Sequence, residues 1–83
     1  MELAYTRHAR EAMEKRGIAE DWVRRAAERP QRTEADSVDA ALEHRLAAIA
    51  ERGGRVLRVV VNPAVLPLRV ITAYFDRKMK GQL

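Results

Sequence analysis

Apolar side chains recur at helical spacing in the first part of the chain. Ala9, Ala12 and Met13 lie three and four residues apart, which predicts one face of an amphipathic helix. Thr6 precedes this segment and suits an N-cap, because its hydroxyl can accept a free backbone N–H of the first turn. Gly17 suits the left-handed residue that ends many helices. The sequence therefore predicts a first helix between these two residues.

A second apolar stripe predicts another helix over about 19–29, which Pro30 ends. Its first turn holds Glu20 and Asp21 and its end is rich in Arg, an order that complements the helix macrodipole. Trp22 lies on the stripe, so we interpret it as a core anchor and not as a base-stacking residue. The stripe consists of Ile18, Trp22, Val23, Ala26 and Ala27.

The second half of the chain is typical of strands. Residues 56–61 are rich in Val, and a second strand is predicted over 68–75. Asn62-Pro63 and Pro67 bracket a turn between them, so the two strands are expected to pair antiparallel. If Asn62 opposes Leu68, the pairing is as follows: Arg58 faces Thr72 and Val56 faces Tyr74.

That register divides the hairpin into two faces. The first is mixed, centres on Arg58 and is expected to be partly open: it carries Val56, Arg58, Val60, Val70, Thr72 and Tyr74. The second is uniformly apolar and is expected to pack on the helices: it carries Leu57, Val59, Val61, Ile71, Ala73 and Phe75. A slip of one residue would exchange the faces of a strand.

Two interpretations of 37–52 are open. Its many Ala residues favour a helix. Alternate residues from Leu42 to Ala50 also fit one face of a strand, and a two-stranded hairpin alone is rarely stable. Gly53-Gly54 forms a turn under either interpretation.

Composition narrows the class of protein to one small domain. The chain has 83 residues, with 47% hydrophobic and 34% charged side chains, which is typical of a globular domain. It has no Cys, which excludes disulfides, zinc fingers, iron–sulfur clusters and thiol catalysis. No apolar run approaches the roughly 20 residues of a membrane span, and no signal-peptide core follows Met1. We therefore expect a cytoplasmic protein.

The net charge of +4 is unevenly distributed. Residues 1–41 hold 8 basic and 9 acidic side chains, whereas 42–83 hold 8 basic and only 3 acidic ones. This surplus in the second half is compatible with an anionic partner such as nucleic acid. A solvated Arg-rich surface explains it equally well.

Two histidines are candidates for proton transfer. His8 lies at the predicted helix start beside Arg7 and Arg10, and a His can act as general acid or base near neutral pH. His44, next to Arg45, would join the sheet if its segment is a strand. A merely exposed or packed His is the alternative for both. No metal motif accompanies them, and we expect neither a metal nor another cofactor.

Arginines in the predicted strands are the stronger signal. Arg58 and Arg69 lie among Val and Leu residues, where a guanidinium must reach solvent or pair with an anion. Phosphate fits a guanidinium fork, and Tyr74 can stack on a base. A basic tail of Arg77, Lys78 and Lys80 is either solvated or in contact with an RNA backbone.

The stretch from Thr6 to Ile18 resembles the opening of the bacterial domain-of-unknown-function family 4258. Its His-Ala followed by Arg-Gly-Ile, with a second helix ending near Pro30, is typical of that family. Residues 57–61 and 70–75 resemble its closing hairpin, so the resemblance covers nearly the whole chain. The Ala-rich stretch 36–52 departs from the family, which usually has a clearer strand there.

This resemblance extends to the BrnT-like and RelE/ParE-like toxins of bacterial toxin–antitoxin pairs. Many of these are metal-independent ribonucleases that use the RNA 2′-hydroxyl as nucleophile. The resemblance implies His8 as general acid or base, Arg58 as ligand of the scissile phosphate, and Thr72 and Tyr74 in the cleft. The RNA-binding residues predicted alongside them are Arg45, Arg69, Arg77 and Lys78.

Taken together, these features predict one α+β domain over 1–83. Two helices in 1–30 are expected to pack on a three- or four-stranded antiparallel sheet in 31–83, as in RelE, with the middle segment as a strand. The expected function is a toxin-like ribonuclease with an antitoxin partner. The alternative is a non-catalytic module that binds nucleic acid or protein. A homodimer through an exposed Val-rich edge strand is a third hypothesis.

Overall fold

The computed structural model describes residues 1–83 and confirms the α+β class. The five strands are β1 (Leu3–Tyr5), β2 (Arg32–Ala35), β3 (Glu43–Ile49), β4 (Arg55–Asn62) and β5 (Leu68–Asp76). The helices α1 (Arg7–Arg16) and α2 (Glu20–Glu28) lie between β1 and β2 in the chain. Two short 3-10 helices, η1 (Ala50–Arg52) and η2 (Arg77–Met79), follow β3 and β5.

The predicted caps of α1 are confirmed. Thr6 Oγ1 accepts the N–H of Ala9 at 3.0 Å. Gly17 has φ +64°, a left-handed conformation that a side chain would disfavour. The Ile18 N–H then donates to the Met13 carbonyl at 2.9 Å, as in the C-terminal motif that this glycine permits. Local signals therefore account for both ends of α1.

The second predicted helix is confirmed as α2. Glu20 and Asp21 occupy its first turn, and its N-cap, Ala19, makes no side-chain hydrogen bond. Packing stabilises this helix instead: it contacts β3 and β4 through a buried apolar face. Trp22 packs against the core, as predicted.

The prediction of a wholly antiparallel sheet of three or four strands is wrong. The sheet has five strands in the order β1-β5-β4-β3-β2, and β1 runs parallel to β5. Three residues are too few to show a period-two pattern, so β1 gives no signal in the sequence. Its chain neighbour α1 packs on β5, which brings β1 alongside that strand.

The open question about 37–52 is resolved in favour of a strand over part of the segment. Residues 43–49 form β3, which pairs antiparallel with both β2 and β4. Residues 50–52 belong to η1. Helix propensity is a weak preference, and pairing on both sides outweighs it here.

The predicted register of the hairpin is wrong by two residues along most of its length. Arg58 faces Tyr74 and Val56 faces Asp76. A β-bulge places Ile71 opposite no residue, because Val60 pairs with Thr72 and Val61 with Val70.

The bulge corrects the assignment of two side chains to faces. Val70 belongs to the core that packs against the helices, whereas Ile71 does not.

The Val-rich strand β4 lies in the centre of the sheet, so it cannot be the exposed edge strand that the homodimer hypothesis requires. The two edge strands of the sheet are β1 and β2, and β2 pairs only with β3.

Neither α1 nor α2 is long and apolar enough to cross a membrane.

Candidate nucleic-acid interface

Arg58 lies at the centre of the sheet face opposite the helices and is 91% buried, with 9% of its surface exposed. Its Nε and Nη2 donate to Oδ2 of Asp76 at 3.0 and 2.9 Å. Its Nη1 donates to Oε1 of Glu34 at 2.9 Å and to Nδ1 of His44 at 3.0 Å. The guanidinium is therefore held by two carboxylates of the protein itself.

The contacts of His44 define its tautomer. Since Arg58 donates to Nδ1, that nitrogen carries a lone pair and the proton resides on Nε2. Nε2 then donates to Oδ1 of Asp36 at 2.6 Å. Both ring nitrogens are used within the protein, so His44 connects β3 to the loop after β2 and is not positioned for proton transfer to a ligand.

Two carboxylates around this network have lowered pKa values. The N–H of Asp39, the ring of His44 and the N–H of Val38 hydrogen-bond to Asp36 and lower its pKa to about 2. The hydrogen bond from Arg58 lowers the pKa of Glu34. Both carboxylates therefore stay ionised near neutral pH: Glu34 in its ion pair with Arg58, and Asp36 in its contact with His44.

The pKa of Arg58 reflects two opposing effects. Burial lowers it, but the hydrogen bonds to Glu34 and Asp76 outweigh burial, and the pKa is raised. The prediction that Arg58 binds a phosphate stays a prediction. In this structure its charge is already matched by the two carboxylates.

Two of the predicted catalytic residues, His8 and Thr72, are in contact, and their catalytic roles stay a prediction. Nε2 of His8 lies 3.1 Å from Oγ1 of Thr72. Thr6 positions the start of α1 beside the bulge, because its hydroxyl donates to the Ile71 carbonyl at 3.0 Å. His8 is exposed and makes no hydrogen bond with Arg58. The pair therefore lies on the edge of β5, reachable from solvent.

Arg16 at the other end of α1 reaches the same edge of β5. Its Nη1 donates to the Ala73 carbonyl at 2.9 Å. That carbonyl belongs to the residue after Thr72, so a guanidinium lies one residue along the strand from the His8–Thr72 pair. Arg16 makes no ion pair with a carboxylate.

Two adjacent clefts lie at the end of β5. The first, of about 290 Å³, has Tyr74 and Phe75 in its wall. The second, of about 320 Å³, also has Phe75 in its wall and includes Asp76. The two clefts share Arg55, Phe75 and Arg77. Arg16 and Arg52 complete the first cleft, and Lys80 completes the second.

Arginine guanidiniums stack on the aromatic rings at this site. The guanidinium of Arg55 lies 4.6 Å from the ring centroid of Phe75, and that of Arg52 lies 5.1 Å from the same centroid. Arg52 is also 5.7 Å from the Trp22 ring, which meets Phe75 edge to face at 6.2 Å. Contact with the ring restricts both guanidiniums and leaves them without a carboxylate partner.

None of the cations around the two clefts has a carboxylate partner within 4.0 Å. Most of the other arginines of the domain have one. The arginines of α2 show this contrast: Arg24 and Arg25 pair with Glu28 and Glu51. We call the unpaired group at the clefts the basic cluster: Arg16, Arg52, Arg55, Arg77 and Lys80.

The four predicted RNA-binding residues are not brought together. Arg77 belongs to the basic cluster, and Lys78 is exposed beside it in η2. Arg45 is bound within the protein, to Glu43 at 2.8 Å and to a carbonyl of α2. Arg69 is exposed at the opposite end of β5, roughly 25 Å of strand from Arg77.

Sequence reasoning missed Arg16, Arg52 and Arg55. The turn Arg52-Gly53-Gly54-Arg55 places an arginine on each side of two glycines, which is a usable signal for a basic turn. Both glycines have positive φ, so the turn reverses the chain and brings its two arginines close to the ring of Phe75. Arg16 has no such signal, because only the packing of α1 on β5 brings it there.

Comparison with known proteins places the chain in a family. The model of the domain of unknown function DUF4258 matches residues 5–75. The chain belongs to this family. In this DUF4258 member, the match includes both helices and β2 to β5 almost to its end. It also includes His8, Thr72 and five residues of the first cleft, but not Arg77.

Searches of curated proteins and of solved structures found no match to this DUF4258 member. No group of three or more His, Asp and Glu side chains is arranged to hold a metal ion.

Proposed function

We propose that this domain binds single-stranded RNA through the basic cluster. The observation that carries the proposal is the set of five cations without carboxylate partners around two aromatic residues. Phosphate groups are the natural partners of such cations, because each contact releases condensed counterions and forms charge-assisted hydrogen bonds.

The aromatic residues favour a single strand over a duplex. Tyr74 lies in the wall of the first cleft, where its ring can stack on an unpaired base. Phe75 holds the guanidiniums of Arg52 and Arg55 in place and so keeps two phosphate-binding groups ready. A base in the first cleft with its phosphates against the arginines uses both features.

The experiment is a titration of the protein into a labelled 12-nucleotide RNA, followed by fluorescence anisotropy at several salt concentrations. We expect the affinity for RNA to fall steeply as the salt concentration rises. The double variant Arg52→Ala/Arg55→Ala is expected to weaken binding about tenfold or more. Arg69→Ala is the matched control: it removes one exposed, unpaired arginine at the far end of β5. Duplex RNA and single-stranded DNA of the same sequence are the comparison ligands.

Three results would overturn this proposal. The first is no binding at low salt, and the second is an equal loss from Arg69→Ala and Arg55→Ala, which indicates a diffuse positive surface. Tighter binding of the duplex than of the single strand is the third.

A second candidate function is metal-independent cleavage of the bound RNA, the activity expected above for a toxin-like protein. The 3.1 Å contact between His8 and Thr72 favours it, with Arg16 one residue along the strand. His8 would accept the 2′-hydroxyl proton while the 2′-oxygen attacks phosphorus. The bond to the 5′-oxygen breaks, which leaves a 2′,3′-cyclic phosphate and, after protonation, a 5′-hydroxyl.

Cleavage is tested with excess EDTA and end analysis of the products. We expect a cyclic phosphate end, and loss of at least a hundredfold in rate for His8→Ala, in line with general acid–base catalysis. Arg7→Ala, which removes the exposed neighbour of His8, is the control. Full activity of His8→Ala, or no cleavage of any RNA that the domain binds, leaves only the binding function.

A further inference from the structure

Asp76 connects Arg58, which is buried on the sheet face opposite the helices, to the basic cluster. Its Oδ2 accepts two hydrogen bonds from Arg58, at 3.0 and 2.9 Å. Its other oxygen, Oδ1, accepts the N–H of Lys78 at 3.1 Å and caps η2. One carboxylate therefore joins the centre of β4 to the first turn after β5.

The 3-10 helix η2 depends on such a cap. It has only three residues, and so short a helix has little stability of its own. It contacts β4, and its first residue, Arg77, lines both clefts. The position of Arg77 in the basic cluster therefore depends on how firmly Asp76 is held.

Arg58 holds Asp76 through the two hydrogen bonds to Oδ2. The same guanidinium is bound by Glu34 of β2 and contacts the ring of His44 on β3, so it has little freedom to move. Burial leaves Asp76 17% exposed, which makes the ion pair with Arg58 its main charge compensation.

We propose that Arg58, through Asp76, is the positioning residue that presents Arg77 to the RNA phosphate backbone. This inference rests on the proposed function. It gives Arg58 a part in RNA binding without contact between Arg58 and a phosphate. The charge that meets the RNA belongs to Arg77, and Arg58 determines where that charge lies.

The test is a double-mutant cycle on RNA affinity with Asp76→Ala and Arg77→Ala. In the wild type, Arg77→Ala is expected to weaken binding roughly fivefold. In the Asp76→Ala background the same change is expected to have almost no effect, because Arg77 is already displaced. Glu34→Gln is the matched control: it also removes a carboxylate from Arg58 but leaves the cap intact, so Arg77→Ala should keep its full effect there.

A second measurement, made without RNA, separates this inference from the proposed function. Backbone ¹⁵N relaxation of Arg77 and Lys78 should show increased motion in Asp76→Ala and in Arg58→Met, and unchanged motion in Glu34→Gln. If the wild type binds no RNA but the relaxation data behave as expected, the proposed function fails and the positioning by Arg58 stands. Additive affinity losses in Asp76→Ala, or unchanged motion of η2 in Arg58→Met, overturn the inference.

Discussion

The guanidinium of Arg55 lies 4.6 Å from the ring centroid of Phe75, and no carboxylate neutralises it. An arginine in this position keeps its full charge, and the ring limits its side-chain freedom. Binding to a phosphate therefore loses less conformational entropy than binding by a free side chain. The aromatic ring contributes to anion binding without touching the anion.

Replacement of Phe75 tests this contribution. Phe75→Leu keeps an apolar side chain and removes the ring, so we expect RNA affinity to fall about threefold, in line with the loss of about 0.7 kcal/mol of cation–π stabilisation. Anisotropy measures the affinity, and fluorescence of Trp22, the only Trp of the chain, reports the same site directly. Phe75→Tyr retains a ring and should bind like the wild type. Equal affinities of all three proteins would show that stacking does not contribute.

Removal of Arg58 is expected to destabilise the fold. Arg58→Met leaves Glu34 and Asp76 without their shared cation in a partly buried setting, which costs about 3 kcal/mol in the free energy of unfolding. Urea denaturation measures this change. The stability of Arg58→Lys should lie between those of the wild type and Arg58→Met, since one ammonium group cannot match the planar contacts to both carboxylates. A loss below about 1 kcal/mol for Arg58→Met contradicts the structural role.

Only part of the ion-pair network around Arg58 could be predicted from the sequence. An Arg in a Val-rich strand predicts a guanidinium that needs an anion, and this need is real. The sequence does not tell whether the anion is a ligand or a carboxylate of the chain. Asp76 becomes the partner because the true register sets it opposite Val56, two residues from where the turn alone suggested. The bulge at Ile71 causes part of that shift, and bulges have no clear sequence signal.

Acid is expected to destabilise the protein through Asp36. Its pKa falls from 3.8 to about 2 on folding, so the unfolded chain binds the proton more tightly. The stabilisation that the Asp36 carboxylate contributes is therefore fully present above pH 3.8 and is lost as the pH falls towards 2. Denaturation followed at pH 6, 4, 3 and 2 should show Asp36→Asn less stable than the wild type at pH 6 and equal to it at pH 2.

The exposed Glu14, whose side chain makes no hydrogen bond or ion pair, supplies the control for this titration. Glu14→Gln should follow the wild type over the whole range. A constant difference between Asp36→Asn and the wild type at all pH values would mean that the carboxylate acts by its shape and hydrogen bonds and not by its charge.

Local features were predictable, and long-range ones were not. Thr6, Gly17 and Pro30 set helix boundaries through interactions within a few residues, so the sequence alone is sufficient for them. The strand β3 needs partners on both sides to overcome its Ala-rich composition. The basic cluster combines one residue from α1 with others from a glycine turn and η2, which only the packed fold brings together.

Thr6 combines a local and a long-range interaction in one hydroxyl. Its Oγ1 accepts the Ala9 N–H at 3.0 Å and donates to the Ile71 carbonyl at 3.0 Å, which ties the start of α1 to the bulge of β5. Thr6→Ala loses both, so we expect a loss of about 2 kcal/mol in the free energy of unfolding, the upper end for a helix cap. Urea denaturation measures it. Thr6→Ser restores the hydroxyl and should recover most of the loss. If Ser is as destabilising as Ala, the methyl group and not the hydroxyl holds the helix to the strand, and His8 then has no hydrogen-bonded anchor that places it beside Thr72.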